Sequence, residues 1–179
     1  MFTIIHGSHR HGYHWNLVKR LQDYLEKSEV EVKIIDLAVL NFEYCCGDQV
    51  CQEKECIYKD DELSKIFEQF IIPAAGIYMV TPTYFNMPPA RLKNFIDRSN
   101  ALLPELENKT THPIFGTWIS GEADIESIEC NCRLLSDYAT IMGWNIIEEI
   151  CEKDILDEEK VIEDSRIQKI TKLICQKLK

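Results

Sequence analysis

Residues 81–98 read TPTYFNMPPARLKNFIDR and follow an apolar run, IYMV, at positions 77–80. The apolar run is typical of a buried strand. Pro88 and Pro89 suit the first turn of a helix, where a missing N–H costs nothing. Apolar side chains then recur at helical spacing, at Leu92, Phe95 and Ile96. The segment therefore predicts a loop between a strand end and a helix start, where open α/β sheets bind ligands.

The composition is typical of a globular protein, with 45% hydrophobic and 28% charged residues among 179. A net charge of −10 argues against nonspecific binding to nucleic acid or to anionic membranes. The amino terminus lacks the basic region of a signal peptide, and the longest apolar stretch, residues 71–80, is too short to span a bilayer. We expect one soluble, cytoplasmic domain over residues 1–179, without nucleic-acid or membrane partners.

Strand and helix patterns alternate along the chain. Apolar runs and alternations predict strands at residues 2–7, 30–34, 77–80, 113–119 and 144–150. Spacings of three and four predict helices near residues 17–25, 63–71, 92–96, 125–142 and 167–178, with Gly143 ending the fourth. Strands that alternate with helices imply a parallel sheet with both faces covered. We therefore predict an α/β fold, a doubly wound five-stranded parallel sheet with strand order 2-1-3-4-5.

Three loops should then meet at one edge of this sheet. The first loop, residues 7–16, reads GSHRHGYHWN, and its glycines, hydroxyl and arginine before a helix favour a phosphate. It is neither the dinucleotide fingerprint nor a P-loop, because the required glycines and the Gly-Lys-Ser/Thr end are missing. The second loop is residues 82–87, and the third is residues 120–122. One phosphate-like site beside small and aromatic residues suits a mononucleotide with a flat ring.

Four short motifs carry a family resemblance: G-S-x-R-x-G at 7–12, C-I-x-K-D-D at 56–61, T-P-x-Y at 81–84 and L-K-x-F-x-D-R at 92–98. Their order and spacing resemble the flavodoxin-like NAD(P)H-dependent FMN reductases, especially the branch that includes the iron–sulfur flavoproteins. The resemblance implies a flavodoxin-like fold with FMN as cofactor, the phosphate on the first loop and the flavin ring against the second and third. It implies cofactor-binding residues Ser8, Arg10, His14, Trp15, Asn16, Pro82, Thr83, Tyr84, Phe85, Asn86, Ser120 and Gly121.

The resemblance also implies an activity. An FMN reductase-like oxidoreductase passes electrons from NADH or NADPH through the flavin to a small acceptor such as a quinone or free flavin, usually as a homodimer or homotetramer. Because the cofactor performs the redox step, no side chain is assigned as a catalytic acid or base. Two alternatives stay open: a flavoprotein electron carrier to a protein partner, with or without an iron–sulfur cluster, and a flavin-free binding module.

The first loop departs from the family pattern. Tyr13, His14 and Trp15 stand where the family has a small residue, Asn and Thr or Ser. Trp15 lacks the hydroxyl that would meet the phosphate, whereas Ser8, Arg10 and the backbone amides remain. One lost charge-assisted hydrogen bond, worth about 1.5–3 kcal/mol, would weaken an FMN site without abolishing it.

Cysteines crowd the stretch after the second strand, at Cys45, Cys46, Cys51 and Cys56. The resembled flavoproteins use Cys-x-x-Cys-x-x-Cys with a fourth cysteine, and in that alignment Asp48 takes the second ligand position. A cluster, a zinc ion and a metal-free remnant all stay open, and no metal ligand is assigned. Disulfides are not expected in a cytosolic chain. Cys132, on the inner stripe of its helix, is expected to pack in the core, and Cys151 is a candidate for the same role.

Other polar and aromatic residues have simpler interpretations. We expect His6 to end a strand, and the loop histidines, His9, His11 and His14, to line the phosphate site rather than a metal. Tyr84 and Phe85 have a second interpretation as core aromatics, because strand ends often bury such residues. The charged residues Lys93, Asp97 and Arg98 are expected to pair on the helix surface or across a subunit boundary.

Overall fold

Parallel strands form the sheet of the computed structural model, which describes residues 1–106, 109–121, 124–153 and 162–179. Within these ranges the five strands are β1 Phe2–His6, β2 Val32–Asp36, β3 Gly76–Pro82, β4 Ile114–Ser120 and β5 Asn145–Glu152. All neighbouring pairs are parallel, and the order is β2-β1-β3-β4-β5. The predicted topology is confirmed. The carboxyl ends of all five strands consequently lie at one edge of the sheet.

Helices connect the strands close to the predicted positions. They are α1 Tyr13–Glu26, α2 Glu62–Ile66, α3 Ala90–Arg98, α4 Leu103–Leu106, α5 Ile125–Ile141 and α6 Asp164–Lys177, with a π-helical segment, Phe67–Ile71, continuing α2 and 3₁₀ turns at Val50–Gln52 and Ser99–Leu102. Pro89 precedes α3 as its N-cap instead of lying in its first turn, and its carbonyl accepts the Lys93 N–H. Gly143, at φ +72°, follows α5 as predicted. No helix in the described ranges is long and apolar enough to cross a membrane.

Both faces of the sheet are buried, which explains the continuous apolar runs of its central strands. Ile77 and Met79 of β3 face the core beneath α2, α3 and α5, whereas Tyr78 and Val80 face the core beneath α1 and α6. Side chains of β4 alternate in the same way, with Ile119 and Trp118 on opposite faces and both fully buried. Because successive side chains of a strand point to opposite faces, one continuous apolar strand contributes side chains to the cores on both sides of the sheet.

Arg98 is buried rather than on the surface of α3, so the sequence expectation for it was wrong. It follows Phe95 by three residues and shares the inner face of the helix, where it is 3% exposed. Its guanidinium donates to the Asp61 carboxylate (2.7 Å) and to the carbonyls of Glu43 (2.8 Å) and Tyr58 (3.3 Å). Lys93 and Asp97 pair on the exposed face, as expected.

Arg98 thereby fastens the cysteine-bearing segment, residues 43–61, to α3. Asn94 adds to the attachment, because its side-chain oxygen accepts the Cys45 N–H and its amide donates to the Glu43 carbonyl. Burial alone would raise the pKa of the Asp61 carboxyl, but hydrogen bonds from Arg98 and from the Ser64 N–H outweigh it and hold that pKa below its usual value. Asp61 also caps α2 through the Ser64 N–H.

A disulfide joins Cys132 of α5 to Cys151 of β5, contrary to the expectation of free thiols. Cys132 lies on the inner stripe of its helix, and Cys151 packs against the same core cluster, so both contribute to the core as expected. No sequence pattern indicates that two inward-facing cysteines, 19 residues apart, meet across adjoining elements.

Replacing Arg98 by Met should lower the free energy of unfolding by up to about 3–5 kcal/mol, because it leaves the Asp61 carboxylate, only 14% exposed, without its partner. Urea denaturation measures the change. Lys93→Met, which removes an exposed pair on the same helix, is the matched control and should change stability by less than about 0.5 kcal/mol. Equal effects of the two substitutions would contradict the assigned role of Arg98.

Thiol counting checks the disulfide. In denaturant without reductant, six of the eight cysteines should react with a thiol reagent, and all eight after reduction. Cys132→Ser should lower the free energy of unfolding by about 3 kcal/mol, the value for closure of a loop of this size. Reaction of all eight thiols before reduction would show that the bridge does not form.

Candidate functional site

Ser120 joins the three predicted loops at the carboxyl edge of the sheet. It is the last residue of β4 and is fully buried. Its carbonyl accepts the Thr83 N–H (3.0 Å), and its Oγ lies 2.8 Å from Nε2 of His14. The next residue, Gly121, donates its N–H to the Glu152 carbonyl (3.2 Å). The first, second and third loops therefore meet as the sequence predicted, while Glu122 of the third lies outside the described residues.

His14 is a neutral side chain in this arrangement. Burial, together with the smaller effects of the nearby His6 and Arg10, lowers its pKa to about 3. At neutral pH one ring nitrogen therefore carries a proton and the other is an acceptor. The contact with Ser120 Oγ is a hydrogen bond between two buried neutral groups, and it fixes the start of α1 against the end of β4.

The first loop begins with a glycine that its surroundings require. Gly7 donates its N–H to the Val80 carbonyl (2.9 Å), so the loop starts tight against β3. A Cβ at position 7 would lie 2.8 Å from Thr81 Oγ1, closer than real contacts allow. The following residue, Ser8, is buried, and its Oγ accepts the Arg10 N–H (3.1 Å). That bond uses a lone pair of the serine oxygen and leaves its hydroxyl hydrogen available.

The amino terminus of α1 offers donors suited to an anion. Its N-cap is Gly12, with no side-chain cap and no acidic residue in the first turn. The Asn16 N–H makes the first helical bond, to the Gly12 carbonyl (3.1 Å), so the preceding amides of residues 13–15 have no partner within the helix. These amides, the helix dipole and the exposed guanidinium of Arg10 fit a phosphate.

The second loop is a tight hairpin that continues from the buried Pro82. Tyr84 and Met87 exchange both backbone hydrogen bonds, at 2.9 and 3.0 Å. Between them Phe85 and Asn86 have φ values of 49° and 61°, the pattern of a type I′ turn. Phe85 is fully exposed, so its interpretation as a core aromatic was wrong. A bulky residue at positive φ is strained by about 1–2 kcal/mol, and such strain clusters at functional sites.

The first loop and helix α5 brace this hairpin from two sides. The rings of His9 and Tyr84 lie nearly parallel, with centroids 6.0 Å apart. On the other side Asn131 of α5 donates to Thr83 Oγ1 (3.2 Å). The half-buried Thr83 and Tyr84 therefore line the edge that continues from the first loop.

Two predicted site residues lie apart from this edge. Trp15 is half-buried, and its indole packs on the rings of His11 and His6, with centroids 4.5 and 5.2 Å away. Asn16 is exposed on α1. Their assignment to the cofactor stays a prediction.

Sequence reasoning missed three polar residues that support the edge: Asp36, Asn131 and Glu152. Glu152 accepts hydrogen bonds from Tyr13 Oη (2.6 Å), Trp118 Nε1 (3.1 Å) and Arg166 Nη1 (2.8 Å). The sequence placed the end of the fifth strand at residue 150, which left Glu152 outside it. For Asp36 and Glu152 the available signal was a carboxylate at the end of an edge strand, since parallel strands end at one edge.

A comparison with family models matches residues 2–149 to the NADPH-dependent FMN reductases. The chain belongs to this family. Membership confirms the resemblance stated from the motifs and FMN as the predicted cofactor. The donor set at the start of α1 fits the phosphate of that cofactor.

Curated relatives of this FMN reductase family member are iron–sulfur flavoproteins. One from Methanocaldococcus jannaschii is 31% identical over 102 residues, covering 55% of this chain and 50% of the relative. One from Archaeoglobus fulgidus is 34% identical over 83 residues, covering 46% of this chain and 40% of the relative. The chain thus matches half or less of the length of these curated relatives.

Solved structures confirm the flavodoxin-like fold at low identity. A flavone reductase aligns with a TM-score of 0.73 at 15% identity, covering 99% of this chain and 61% of that one. Flavodoxin 1 from Bacillus cereus aligns with a TM-score of 0.59 at 14% identity, covering 99% of this chain and 96% of that one.

The cysteine segment forms a second candidate site. Its four cysteines and Asp48 line one small cavity of about 70 Å³ next to Arg98. Cys51 Sγ accepts a hydrogen bond from Asn100 (3.5 Å). Among the described residues no three cysteine sulfurs lie within 4.8 Å of one another, so a mononuclear zinc site is not preformed. A cluster places several atoms between its thiolates and needs a wider spacing.

Acid should destabilise the protein through His14. Its pKa is depressed in the folded state, so between about pH 6.5 and 3 the unfolded chain binds a proton that the folded chain does not. Stability is therefore lost as the pH falls, by up to ~1.4 kcal/mol for each pH unit. His14→Asn, the family's residue, should lose less stability between pH 7 and 4.5 in urea titrations.

The matched control is His9→Asn, an exposed histidine of the same loop, which should retain the wild-type acid slope. An unchanged slope in His14→Asn would contradict the burial-driven shift.

Proposed function

We propose that this protein is an FMN-dependent NAD(P)H oxidoreductase that passes electrons from NADH or NADPH to a small acceptor such as a quinone or free flavin. One observation carries the proposal: Ser120 bonds to two loops at one edge of the sheet. Its hydroxyl contacts the uncapped helix start, residues 12–16, and its carbonyl contacts the strained hairpin, residues 82–87. A phosphate and a flat ring are the two parts of FMN that such an edge accommodates. Family membership identifies the cofactor as FMN.

On the phosphate side, we assign binding to the first-turn amides of α1, the Ser8 hydroxyl and the Arg10 guanidinium. Ser8 already accepts the Arg10 N–H, so its hydroxyl hydrogen can point to a phosphate oxygen. The hydroxyl lost at Trp15 is thereby offset in part by charge-assisted bonds that remain. His14 contributes through position: it holds the helix start against β4.

On the ring side, we assign binding to the backbone of residues 82–86 and to Ser120 and Gly121. Bound FMN supplies hydride acceptance and onward electron transfer. The residues of this chain orient the ring and exclude water, because Pro82, Ser120 and His14 are all buried. The two buried hydrogen bonds on Ser120 keep the ring side and phosphate side at a fixed separation.

Names of structural relatives support a small-molecule acceptor. They include a flavone reductase, a putative quinone reductase from Klebsiella pneumoniae and an NAD(P)H:(acceptor) oxidoreductase from Paracoccus denitrificans. We also propose a cytoplasmic homodimer or homotetramer, in which the exposed Phe85 and Met87 bring the ring edge near a subunit boundary. Sizing of the purified protein tests the assembly.

An absorption spectrum tests the proposal directly. Protein purified without added flavin should be yellow, with an FMN spectrum and about one FMN per chain. NADH or NADPH should bleach it in the absence of oxygen, and a quinone should restore the colour. A colourless protein that takes up no added FMN would refute the redox function and favour the flavin-free alternative.

Phe85→Gly tests the hairpin. Removing the aromatic ring should weaken FMN binding by up to about tenfold, the equivalent of an aromatic contact worth ~0.5–1.5 kcal/mol. Because glycine tolerates positive φ, the unfolding free energy should stay equal or rise by up to about 1 kcal/mol. Fluorescence titration of the apoprotein and urea denaturation measure the two effects.

The matched control is Ile141→Ala, which shortens another exposed apolar side chain at the far end of α5. It should leave FMN affinity unchanged. A Phe85→Gly protein with unaltered affinity would remove Phe85 from the site.

The second candidate is an electron carrier that contains an iron–sulfur cluster in addition to FMN. The cavity lined by Cys45, Cys46, Cys51 and Cys56 favours it, with Asp48 at the second ligand position or Cys46 in its place. Oxygen ligands suit iron less well than thiolates. Brown protein with stoichiometric iron and sulfide after anaerobic purification would support this candidate, whereas yellow, iron-free protein would exclude it.

A further inference from the structure

A cluster of two histidines and an aspartate lies on the β2 side of the first loop. His6 ends β1, Asp36 ends β2, and His11 belongs to the loop itself. His6 Nδ1 lies 2.9 Å from Asp36 Oδ1, and His11 Nε2 lies 2.5 Å from Asp36 Oδ2. Across the described ranges this is the one group of three His, Cys, Asp or Glu ligand atoms that lie within 4.8 Å of one another.

The donor set is that of a zinc site. Zinc takes imidazole nitrogen and carboxylate oxygen at ~2.0–2.1 Å in tetrahedral geometry, which separates neighbouring ligand atoms by roughly 3.3–3.4 Å. The present contacts are shorter by less than 1 Å, so small side-chain movements would admit an ion. Three protein ligands leave a fourth position for water, the pattern of an open zinc site.

The surroundings orient these ligands. Asp36 Oδ1 also accepts the Ala38 N–H (3.1 Å), which fixes the carboxylate. His6 is fully buried, and within the described part of the chain its Nε2 has no hydrogen-bond partner. In the metal-free protein the His6 Nδ1–H donates to the Asp36 carboxylate, so a metal on Nδ1 requires the other tautomer, with the proton on Nε2.

Access is from the His11 side. The His11 side chain is 45% exposed, whereas that of Asp36 is 11% exposed and that of His6 is buried. The Trp15 indole covers both imidazoles on one side and limits their movement. An ion could enter from solvent past His11 without opening the core.

We propose that His6, His11 and Asp36 bind a divalent metal ion of the zinc class, at a site separate from the cysteine segment. Such an ion would join the ends of β1 and β2 to the first loop and replace two hydrogen bonds with three metal–ligand bonds. The sequence led us to expect His11 at the phosphate site, but it lies on Asp36 instead. The proposal does not depend on the flavin assignment, because the phosphate was assigned to the α1 amides, Ser8 and Arg10.

Zinc content of matched variants tests the site. The full chain, reduced and stripped with a chelator, is dialysed to equilibrium against buffered Zn²⁺ and analysed for metal. His11→Ala and Asp36→Asn should each bind about one Zn²⁺ fewer per chain than wild type. His9→Ala, in the same loop but outside the cluster, should bind as much as wild type. All four proteins keep every cysteine, so zinc on thiolates cancels in the comparison.

Co²⁺ gives the coordination type. The wild-type minus His11→Ala difference spectrum should contain visible bands of tetrahedral cobalt and lack the near-ultraviolet band of cobalt–thiolate bonds. His11 is exposed, so its variant should fold, and Zn²⁺ should raise the melting temperature of wild type more than that of His11→Ala. Equal zinc content in wild type and His11→Ala, or a difference spectrum with only thiolate bands, would overturn the proposal.

Discussion

The position of Ser120 is the constraint on which the candidate site depends. A buried serine must satisfy its polar atoms within the protein, and this one does so with two different loops: its carbonyl holds Thr83, and its hydroxyl meets His14. The parallel sheet alone would bring the loops to one edge without fixing their relative positions. Because both bonds fall on one residue of a buried strand, movement of either loop would leave a buried polar group unpaired, which costs about 1–3 kcal/mol.

The topology and the edge were predictable because they follow from local patterns: apolar runs for strands, three- and four-residue spacing for helices, and the rule that parallel strands end together. The features that the sequence analysis predicted wrongly or missed depend on contacts between residues far apart in sequence. Arg98 pairs with Asp61, and Tyr13 donates a hydrogen bond to Glu152, only once the chain has folded. The hairpin turn could not be predicted for another reason. Phe-Asn is an unfavourable pair for two positive φ values, so the surrounding structure and not the local sequence determines this turn.

Residues 13–15 differ from the family pattern, but each of their side chains makes a structural contact of its own. Tyr13 bonds to Glu152, His14 to Ser120, and Trp15 packs on His6 and His11. Each side chain that replaces one of the family's small groups fastens the helix start to a different neighbour. The backbone amides of the same residues remain in the uncapped first turn. The anion-binding capacity of the loop therefore depends on the backbone amides and the helix dipole. The side chains of residues 13–15 instead hold the start of α1 in position.

Helix α3 links the flavin edge to the cysteine segment. Its start follows the hairpin, and its end holds the segment through Asn94 and Arg98. These two residues bind the Asp61 carboxylate, the Ser64 hydroxyl and the backbone of Glu43, Cys45 and Tyr58, and the Arg98 guanidinium also interacts with the Cys56 side chain. Docking of the segment therefore does not require a metal. None of the docking bonds named here goes to Asp48, so that residue can stand at a ligand position while the surrounding motif, residues 56–61 and 92–98, keeps its form.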